Sequence, residues 1–593
     1  KLGFAPLAML AIVLLFTRKN RKELRWLFVI FTAFSLFPVF GYIFSGFSNV
    51  NNRWGYIYVV IVSFILAESL DKMRDLSGKE LGIMTAITGL YGLVNVFSDK
   101  LFVPSIYGAF GLLAATLIML FLLNSDKITF SKKQFRGIVL GMTALVIFLN
   151  AKWFITSGDD SYTHLDTYVS AGDSKKKISG TALKHLDEVP GADTDEFYRS
   201  TNLVTTGNLR SSSLLYGYND VSTFSSTLNG GIVNYNNAMG NCRWNIVSIY
   251  DYNFRTYLNT LASVKYMGVA KKNTATIPYG YKKVQETKNK YYSIYENQYS
   301  LPLGYTYDKI VNADRIDQYS AAEKQETTML AAIVEDKDMD KNSNLTVATK
   351  LPLTAQKLKI KNIKLNGVSM TKDTIEIKKP GATMKFSFEA PANAETYLSL
   401  VGDIYAEKDA KEHFITARIK APGVKYGHKF RIDAYTTGQK EYLFNLGYRE
   451  GAVKTCTLKF VGTGTLKYKD LAIYSQTMSN YADRVNALKE NSLKNAKAEK
   501  NTVTGNITVD KDKMLVVTLP YQKGWTAYVD GKKTDIQRVN YQYIGINLKK
   551  GTHDIKLHYQ LPGIKLAFMI TGCGIIAFVA IIIFNIVRKR RKN

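Results

Sequence analysis

Long apolar runs alternate with short polar loops in the first quarter of the chain, and this pattern predicts membrane-spanning helices. The runs are Leu2–Phe16, Trp26–Phe47, Tyr56–Ala67, Leu81–Val96, Phe102–Leu123 and Ile138–Ile155. We expect six spans within residues 1–157, and the run at Tyr56–Ala67 must extend into its polar flanks because a span needs about 20 residues. A last run, Ile564–Val587, predicts a transmembrane helix before a basic tail at 588–593.

The uneven distribution of basic residues among the loops orients these spans. Lysine and arginine cluster at 18–22, 72–79, 127–136 and 588–592, whereas the loop at 48–55 holds only Arg53. Because basic loops remain in the cytoplasm, all four clusters are predicted to lie inside. Residues from about 156 to 560 are then predicted to face outside, in a multi-pass membrane protein.

Between the sixth and last runs, the pattern changes to short strands and turns. Residues 158–312 mix helical and strand-like segments, among them a short apolar strand at Ser263–Val269. We interpret this region as an extracytoplasmic α/β domain. Residues 313–349 are predicted to be a linker.

The remaining outer region reads as β-structure. Period-two alternation over 350–475 predicts a β-sandwich, and an amphipathic segment predicts a helical connector at 476–502. Residues 503–561 are predicted to form a small Ig-like β-sandwich. Within it, Val529–Lys532 carries Asp-Gly, which is typical of a type I′ hairpin, and alternation on both sides of Lys550-Gly551 indicates a second turn.

The composition of the chain limits the kinds of partner that the protein is expected to bind. The chain has a formal net charge of +29, and the excess extends into the outer region, where the positive-inside rule does not apply. This predicts an anionic partner, such as a phosphate polymer or lipid headgroups, rather than a nucleic acid. The three cysteines, Cys242, Cys456 and Cys573, are isolated, so neither a disulfide framework nor a CxxC metal site is available.

Motifs of several hydrolase and nucleotide-binding classes are absent. The sequence contains no GxxxxGK[ST] loop, no HExxH or HxH pair and no GxSxG elbow. Asp159-Asp160, just beyond the sixth run, could hold a divalent metal or act as a base, or could simply be a solvated helix end. No metal site and no cofactor are otherwise predicted.

The loop between the second and third runs is the strongest candidate for a binding site. Asn51, Asn52, Arg53 and Trp54 offer groups that hydrogen-bond to or stack on polar ligands, and the predicted topology places them outside. We interpret them as donor-binding or substrate-binding residues. The alternative is that Arg53 and Trp54 anchor a helix end at the headgroup level.

A second candidate lies among the tyrosines, which are dense between Tyr198 and Tyr307. Tyrosine rings can stack on sugar faces, and Tyr218 with Asn219 is the pair we single out. Packing of strand cores is the alternative explanation for the same residues.

Short motifs recur in a fixed order along nearly the whole chain. They are Gly46-Phe47-Ser48, Asn52-Arg53-Trp54, Phe197-Tyr198-Arg199, Tyr218-Asn219, Ser225–Leu228, Ser263–Tyr266, Tyr295-Glu296-Asn297, Leu301–Gly304 and Gly524–Gly531. Together they resemble the C-terminal two-thirds of the YfhO family of bacterial membrane proteins. The resemblance implies a multispan GT-C-type glycosyltransferase acting outside the membrane. Such proteins are linked to sugar decoration of lipoteichoic acid, with a polyprenyl-phosphate sugar as donor.

The resemblance also gives the candidate loop a role. Arg53 would pair with the lipid phosphate, and Trp54 would stack on a sugar or lie at the interface. The catalytic acid of such enzymes usually lies in the first outer loop, so we expect it, with further spans, to precede Lys1. The catalytic residue therefore stays unknown.

Two other functions fit the same sequence. One is a non-enzymatic, membrane-anchored scaffold whose β-domains bind an anionic wall polymer. The other is a flippase, which the large outer region disfavours. An outward-facing acidic residue soon after a first span would favour the enzyme over the scaffold.

Overall fold

The chain divides into two compact units, Lys1–Ser174 and Lys175–Asn593, in a computed structural model. The structure describes residues 7–18, 21–45, 50–51, 53–97, 104–125, 128–156, 186, 189, 192, 196–203, 211, 213–270, 277–286, 292–404, 414–431, 438–451 and 454–591.

The first unit is helical over its described residues. Its helices are α1 Leu7–Thr17, α2 Lys22–Leu36, α3 Pro38–Phe44, α4 Gly55–Ser69, α5 Gly78–Val96, α6 Pro104–Asn124 and α7 Lys132–Thr156, with a 3-10 turn at Leu70–Arg74. The described part of every predicted apolar run before residue 157 lies mainly on one or two of these helices. Leu10 and Leu14 of α1 are buried against Ile65 of α4 and Met84 of α5, so α1 forms the centre of the unit.

The second apolar run, predicted as one span, is broken into two helices. α2 and α3 meet at Phe37 and are bent by 96°. Proline lacks the N–H that would continue the helix, and it drives the preceding residue into an extended conformation. Phe37 has that conformation, with φ −100° and ψ 117°, and Pro38 begins α3. The second predicted span is therefore not one continuous helix over its described residues.

Ion pairs gather the basic segments of the first unit at one end of its helices. They join Arg18 to Glu80 at 2.8 Å, Arg21 to Glu68 at 3.3 Å and Arg136 to Asp71 at 2.6 Å. These pairs connect the α1–α2 loop, the end of α4, the start of α5 and the start of α7. The first unit therefore has a charged end, and the start of α4 lies at the opposite end of that helix.

The second unit is rich in β-strands. Its strands are β1 Arg199–Leu203, β2 Thr223–Phe224, β3 Trp244–Asn245, β4 Ser248–Ile249, β5 Val264–Ala270, β6 Tyr281–Glu286, β7 Tyr292–Asn297, β8 Gly304–Tyr307, β9 Lys309–Asn312, β10 Ala332–Val334, β11 Thr346–Val347, β12 Gln356–Leu358, β13 Lys361–Asn366, β14 Val368–Met370, β15 Thr374–Ile377, β16 Thr383–Ser387, β17 Ala394–Val401, β18 Phe414–Ala421, β19 Val424–Arg431, β20 Glu441–Arg449, β21 Thr455–Val461, β22 Gly464–Lys467, β23 Asp470–Thr477, β24 Lys494–Glu499, β25 Thr502–Val509, β26 Lys513–Pro520, β27 Trp525–Val529, β28 Lys532–Thr534, β29 Gln537–Val539, β30 Tyr543–Leu548 and β31 Gly551–Tyr559.

Helices connect these strands. They are Ser213–Tyr216, Gly230–Ala238, Thr256–Leu261, Ala321–Thr327, Tyr481–Lys489 and Ile564–Arg590, with 3-10 turns at Asp314–Ile316, Asp336–Asp338 and Asp340–Asn342. Among the described helices, Ile564–Arg590 alone is long and apolar enough to cross a bilayer by itself. The bent pair α2–α3 would be a second if it formed one span.

Two sheets pack face to face in the middle of the second unit. One has the order β12-β23-β17-β20, and the other, which we call the middle five-stranded sheet, has the order β13-β16-β21-β18-β19. Leu398 and Phe444 from the first sheet share a core with Phe386, Ile419 and Leu458 from the second. Outward residues of the middle five-stranded sheet alternate with these, as period-two burial requires.

A seven-stranded sheet corrects the predicted domain boundaries. Its order is β11-β9-β10-β29-β30-β26-β8, so strands from 304–347 complete a sheet that includes strands from 513–548. Residues 313–349 are not a linker, because Ala332–Val334 pairs with both β9 and β29. The Ig-like sandwich predicted at 503–561 is not a separate unit for the same reason, and the α/β domain does not end at 312.

The C-terminal five-stranded sheet, β24-β25-β31-β27-β28, packs on this seven-stranded sheet. Val503 and Leu557 from the former meet Leu515 and Ile544 from the latter in one core. The chain turns at Lys550-Gly551 as predicted, but β30 and β31, on either side of the turn, belong to different sheets. Gly551 adopts φ 145°, which turns the chain from one sheet to the other.

The predicted type I′ hairpin is confirmed. Asp530 and Gly531 have φ of 53° and 75°, and Val529 pairs with Lys532 in antiparallel register. Both central residues of a type I′ turn need positive φ, which Asp-Gly supplies at little steric cost.

Buried polar groups fasten the middle sheets to the rest of the second unit. Glu395 on β17 is fully buried and accepts hydrogen bonds from the backbone N of Thr256 at 3.2 Å and from Asn445 Nδ2 at 2.8 Å. Burial raises the pKa of the Glu395 carboxyl to about 7. A second buried carboxylate, Glu326, pairs with Arg484 at 2.5 Å, which fixes the predicted connector helix to the helix Ala321–Thr327.

Glu395 makes the stability of the second unit depend on pH. The carboxyl ionises near pH 4.5 when unfolded and near pH 7 when folded, so the folded state retains a proton that the unfolded state has lost. Its contribution to the free energy of unfolding is fully present below about pH 4.5 and declines as pH rises toward 7. Glu395→Gln cannot ionise, so this part of the decline should disappear. The measurement is thermal unfolding of the detergent-solubilised chain across this range.

The matched control is Glu499→Gln, which neutralises an exposed carboxylate on β24 and should leave the pH profile unchanged. Parallel profiles for Glu395→Gln and the unaltered chain would contradict the assignment.

Candidate functional site

An aromatic cluster surrounds the start of α4. Trp54, the residue before the first turn, packs with ring-centroid distances of 6.2 Å to Phe31, 6.5 Å to Phe34 and 5.1 Å to Phe44. The bend between α2 and α3 makes this cluster possible, because it brings Phe40 of α3 to 4.3 Å from Phe34 of α2. The broken helix therefore shapes the site.

Trp54 is more deeply buried than we expected. Its side chain is 8% exposed, so little of the indole face is available to stack on a sugar or lie in the headgroup layer. Its Nε1, however, is buried and has no hydrogen-bond partner among the described residues. Buried indole N–H groups usually find an acceptor. The cluster therefore leaves one donor available for a polar ligand atom or a water molecule.

Arg53 is exposed beside this cluster. Its backbone N donates to Asn51 Oδ1 at 3.1 Å, which fixes the short loop before α4. Its guanidinium makes no ion pair or hydrogen bond with any residue that the structure describes. Five N–H donors in a planar fork are thus free to bind an oxyanion. Asn52 lies outside the described residues.

The site and the charged end of the first unit lie at opposite ends of α4. The helix has 15 residues, and at 1.5 Å per residue it separates Trp54 from Ser69 by about 22 Å. Arg53 is thus remote from Glu68, Asp71 and Glu80, which pair with Arg21, Arg136 and Arg18 in that order.

Tyr218 and Asn219 contact the two ends of β1 in the second unit. The Tyr218 hydroxyl accepts a hydrogen bond from Asn202 Nδ2 at 3.1 Å, and Asn219 Nδ2 donates to the Tyr198 carbonyl at 3.1 Å. These contacts fit the strand-packing explanation. Asp159 and Asp160 lie outside the described residues. No group of three or more His, Cys, Asp or Glu side chains suited to a metal occurs among the described residues.

A groove on the C-terminal five-stranded sheet was missed by the sequence reasoning. It has a volume of about 750 Å³, and its lining includes Asn506, Tyr528, Asp554, Lys556 and His558. These residues come from β25, β27 and β31 and meet only through strand register. Alternating polar residues on β31 were a visible sign of a solvated face, but the pairing partners are not readable from sequence.

The first unit contains apolar helices, and the second unit ends in a helix long and apolar enough to cross a bilayer, which is typical of a membrane protein. The chain belongs to the YfhO family: the family model described as bacterial membrane protein YfhO matches residues 2–571. The chain is also 25% identical to the uncharacterized protein YfhO of Bacillus subtilis (strain 168). The alignment runs over 578 residues and covers 92% of this chain and 61% of that relative. The chain thus spans less than two-thirds of the length of this relative.

Among solved structures, the chain is similar to arabinofuranosyltransferase AftD from Mycobacteria, with a TM-score of 0.22 and 10% identity over 94% of this chain and 58% of that one. It is also similar to allantoicase, with a TM-score of 0.12 and 10% identity over 30% of this chain and 74% of that one.

Trp54 and Arg53 should respond differently to truncation. Trp54→Ala removes the centre of the aromatic cluster and should cost about 3 kcal/mol or more of folding stability. Arg53→Ala removes an exposed, unpaired side chain and should change stability by less than about 0.5 kcal/mol. Thermal unfolding of both variants in detergent compares them directly. Equal destabilisation would mean that Arg53 is part of the packing and not a free binding group.

Proposed function

We propose that this protein transfers a sugar, outside the membrane, from a polyprenyl-phosphate donor to a cell-envelope polymer such as lipoteichoic acid. The observation that carries the proposal is the exposed guanidinium of Arg53 and the buried Nε1 of the next residue, Trp54, neither of which has a polar partner among the described residues. A cation and an N–H donor on consecutive residues suit the phosphate of a lipid-linked sugar. The family resemblance supports the same reaction.

The proposal includes a multi-pass topology. The six apolar runs cross the membrane, the second of them as the bent pair α2–α3. The charged end of the first unit faces the cytoplasm, and the start of α4 faces outward. Arginine clusters that are neutralised by carboxylates at one end, with Arg53 about 22 Å away, support this orientation. The outward position brings Arg53 to the leaflet where a lipid-linked donor presents its sugar.

The reaction is a displacement at the anomeric carbon of the donor sugar. A hydroxyl oxygen of the acceptor forms the new bond, the bond between the sugar and the phosphate oxygen breaks, and polyprenyl phosphate leaves. A carboxylate base takes the hydroxyl proton. Arg53 stabilises the charge that grows on the leaving phosphate, and the Trp54 N–H orients an oxygen of the donor. Asp159 and Asp160 remain candidates for a base or for divalent-metal binding.

A scaffold that binds anionic wall polymer is the second candidate. The favouring observation is the β-rich second unit, which ends in an apolar helix suited to a membrane anchor. A scaffold requires no donor site, so it gives Arg53 no role beyond anchoring a helix end.

Substitution of Arg53 separates the two functions. Arg53→Ala should remove most sugar substituents from lipoteichoic acid, because the donor phosphate loses its cation. Arg53→Lys should retain part of the activity, since the charge remains but the bidentate fork is lost. The measurement is NMR of lipoteichoic acid from cells that express the full-length protein at equal membrane levels.

The matched control is Lys79→Ala, which removes an exposed cation that forms no ion pair with a described residue, and it should leave the sugar content unchanged. Normal decoration in the Arg53→Ala strain would make Arg53 a helix-end anchor and favour the scaffold.

A further inference from the structure

The outer surface of the middle five-stranded sheet carries a cluster of cations, which we call the basic face. Its members are exposed and lie on five hydrogen-bonded strands: Lys364, Lys385, Arg418, Lys420, Lys425 and Lys459. Residues that alternate with them, such as Met384 and Leu458, point into the core. The strands β13, β16, β18, β19 and β21 contain no Asp or Glu.

Strand register places like charges directly opposite each other on this face. Lys364 is paired with Lys385, Lys420 with Lys425, and Arg418 with Lys459. Like charges in directly opposed positions destabilise a sheet. None of the six cations forms an ion pair with a described residue. The face is thus electrostatically unfavourable when nothing anionic is bound.

Protection of sheet edges does not explain this arrangement. Lysine on an edge strand prevents edge-to-edge pairing, and β13 and β19 are the edges of this sheet. That accounts for Lys364 and Lys425. The other four cations lie on β16, β21 and β18, which are internal strands whose backbone groups are already paired.

We propose that the basic face binds a linear polymer of phosphodiester-linked units, which the protein holds as the acceptor. The identity of the polymer as acceptor rests on the proposed function, whereas the binding does not. Two adjacent cross-strand rows form the surface. They are Lys364–Lys385–Thr457–Lys420–Lys425 and Asn366–Thr383–Lys459–Arg418–Gly427.

The dimensions and chemistry of the rows suit a polymer. With strands about 4.8 Å apart, each row is about 19 Å long, so several phosphates of one chain can lie along it. Between the cations lie Thr457 and Thr383, whose hydroxyls can hydrogen-bond to phosphate or polyol oxygens. Neither row contains an apolar side chain larger than a threonine methyl. A face that docks on a membrane would combine lysine with tryptophan, phenylalanine or leucine.

The test neutralises three cations on internal strands. Lys385→Gln, Lys420→Gln and Lys459→Gln are combined in the full chain, held in detergent. The control combines Lys494→Gln, Lys497→Gln and Lys533→Gln, which removes three exposed lysines from the C-terminal five-stranded sheet, whose strands also carry Glu499 and Asp554. The probe is deacylated poly(glycerol phosphate), which lacks the lipid that would insert into micelles.

At low salt, the affinity of the basic-face variant for this polymer should be about tenfold lower, or more, than that of the unaltered chain. A plot of log K against the logarithm of the salt concentration should be less steep for the variant, with a slope smaller in magnitude by about 3. The control should change far less. Thermal stability of the basic-face variant should stay equal or rise, because like-charge pairs are relieved. Loss of binding together with gain in stability distinguishes a binding face from a structural one.

Equal loss in both variants, or no loss in either, would overturn the proposal. So would binding to vesicles of phosphatidylglycerol by the unaltered chain without binding to the polymer. A different pattern would contradict the proposed function alone. In that case Arg53→Ala would leave the sugar decoration of lipoteichoic acid normal, while the basic-face variant would still bind the polymer more weakly.

Discussion

Pairing of backbone groups between remote parts of the chain is the constraint on which the second unit depends. β8 and β26 lie side by side with Thr306 opposite Leu515, and β10 and β29 meet at Val334 and Val539. Every buried N–H and C=O on these strands needs such a partner. Residues 304–347 and 513–548 therefore fold as one sheet, and the middle sheets are inserted between them in sequence. The buried Glu326–Arg484 pair fastens the helix Tyr481–Lys489 to the first of these regions.

The two sets of cations in this protein have different environments. Arg18 and Arg136, in the first unit, are held by Glu80 and Asp71 at the charged end. Those on the basic face have no carboxylate on their strands. The net charge of +29 therefore combines neutralised loop residues, as expected for a membrane protein, with a surface whose charge is left unbalanced. The cations of the basic face, which have no carboxylate on their strands, are the reason to expect an anionic ligand.

Local patterns predicted local structure well. Apolar runs marked helices, Asp530-Gly531 marked its hairpin, and the short strand at Ser263–Val269 corresponds to β5 at Val264–Ala270. Each of these depends on neighbouring residues alone. Pro38 was a visible reason for a break in the second run, but the length of the apolar run outweighed it.

Predictions that depend on distant partners were less successful. Ala332–Val334 is too short for any periodicity, and its partner strands are not readable from sequence, so it was assigned to a linker. Burial of Trp54 follows from the α2–α3 bend, which no pattern around Trp54 itself indicates. The basic face needs the register of five strands before its lysines form rows.

Transfer of sugar in a purified system tests the central claim most directly. The full-length protein would be reconstituted in liposomes with a polyprenyl-phosphate donor carrying a labelled sugar and supplied with deacylated poly(glycerol phosphate). The account predicts that label appears on the polymer, that transfer depends on the protein, and that it fails with Arg53→Ala. If the protein bound the polymer but transferred no label to it, this result would contradict the proposed glycosyltransferase activity and favour the scaffold function.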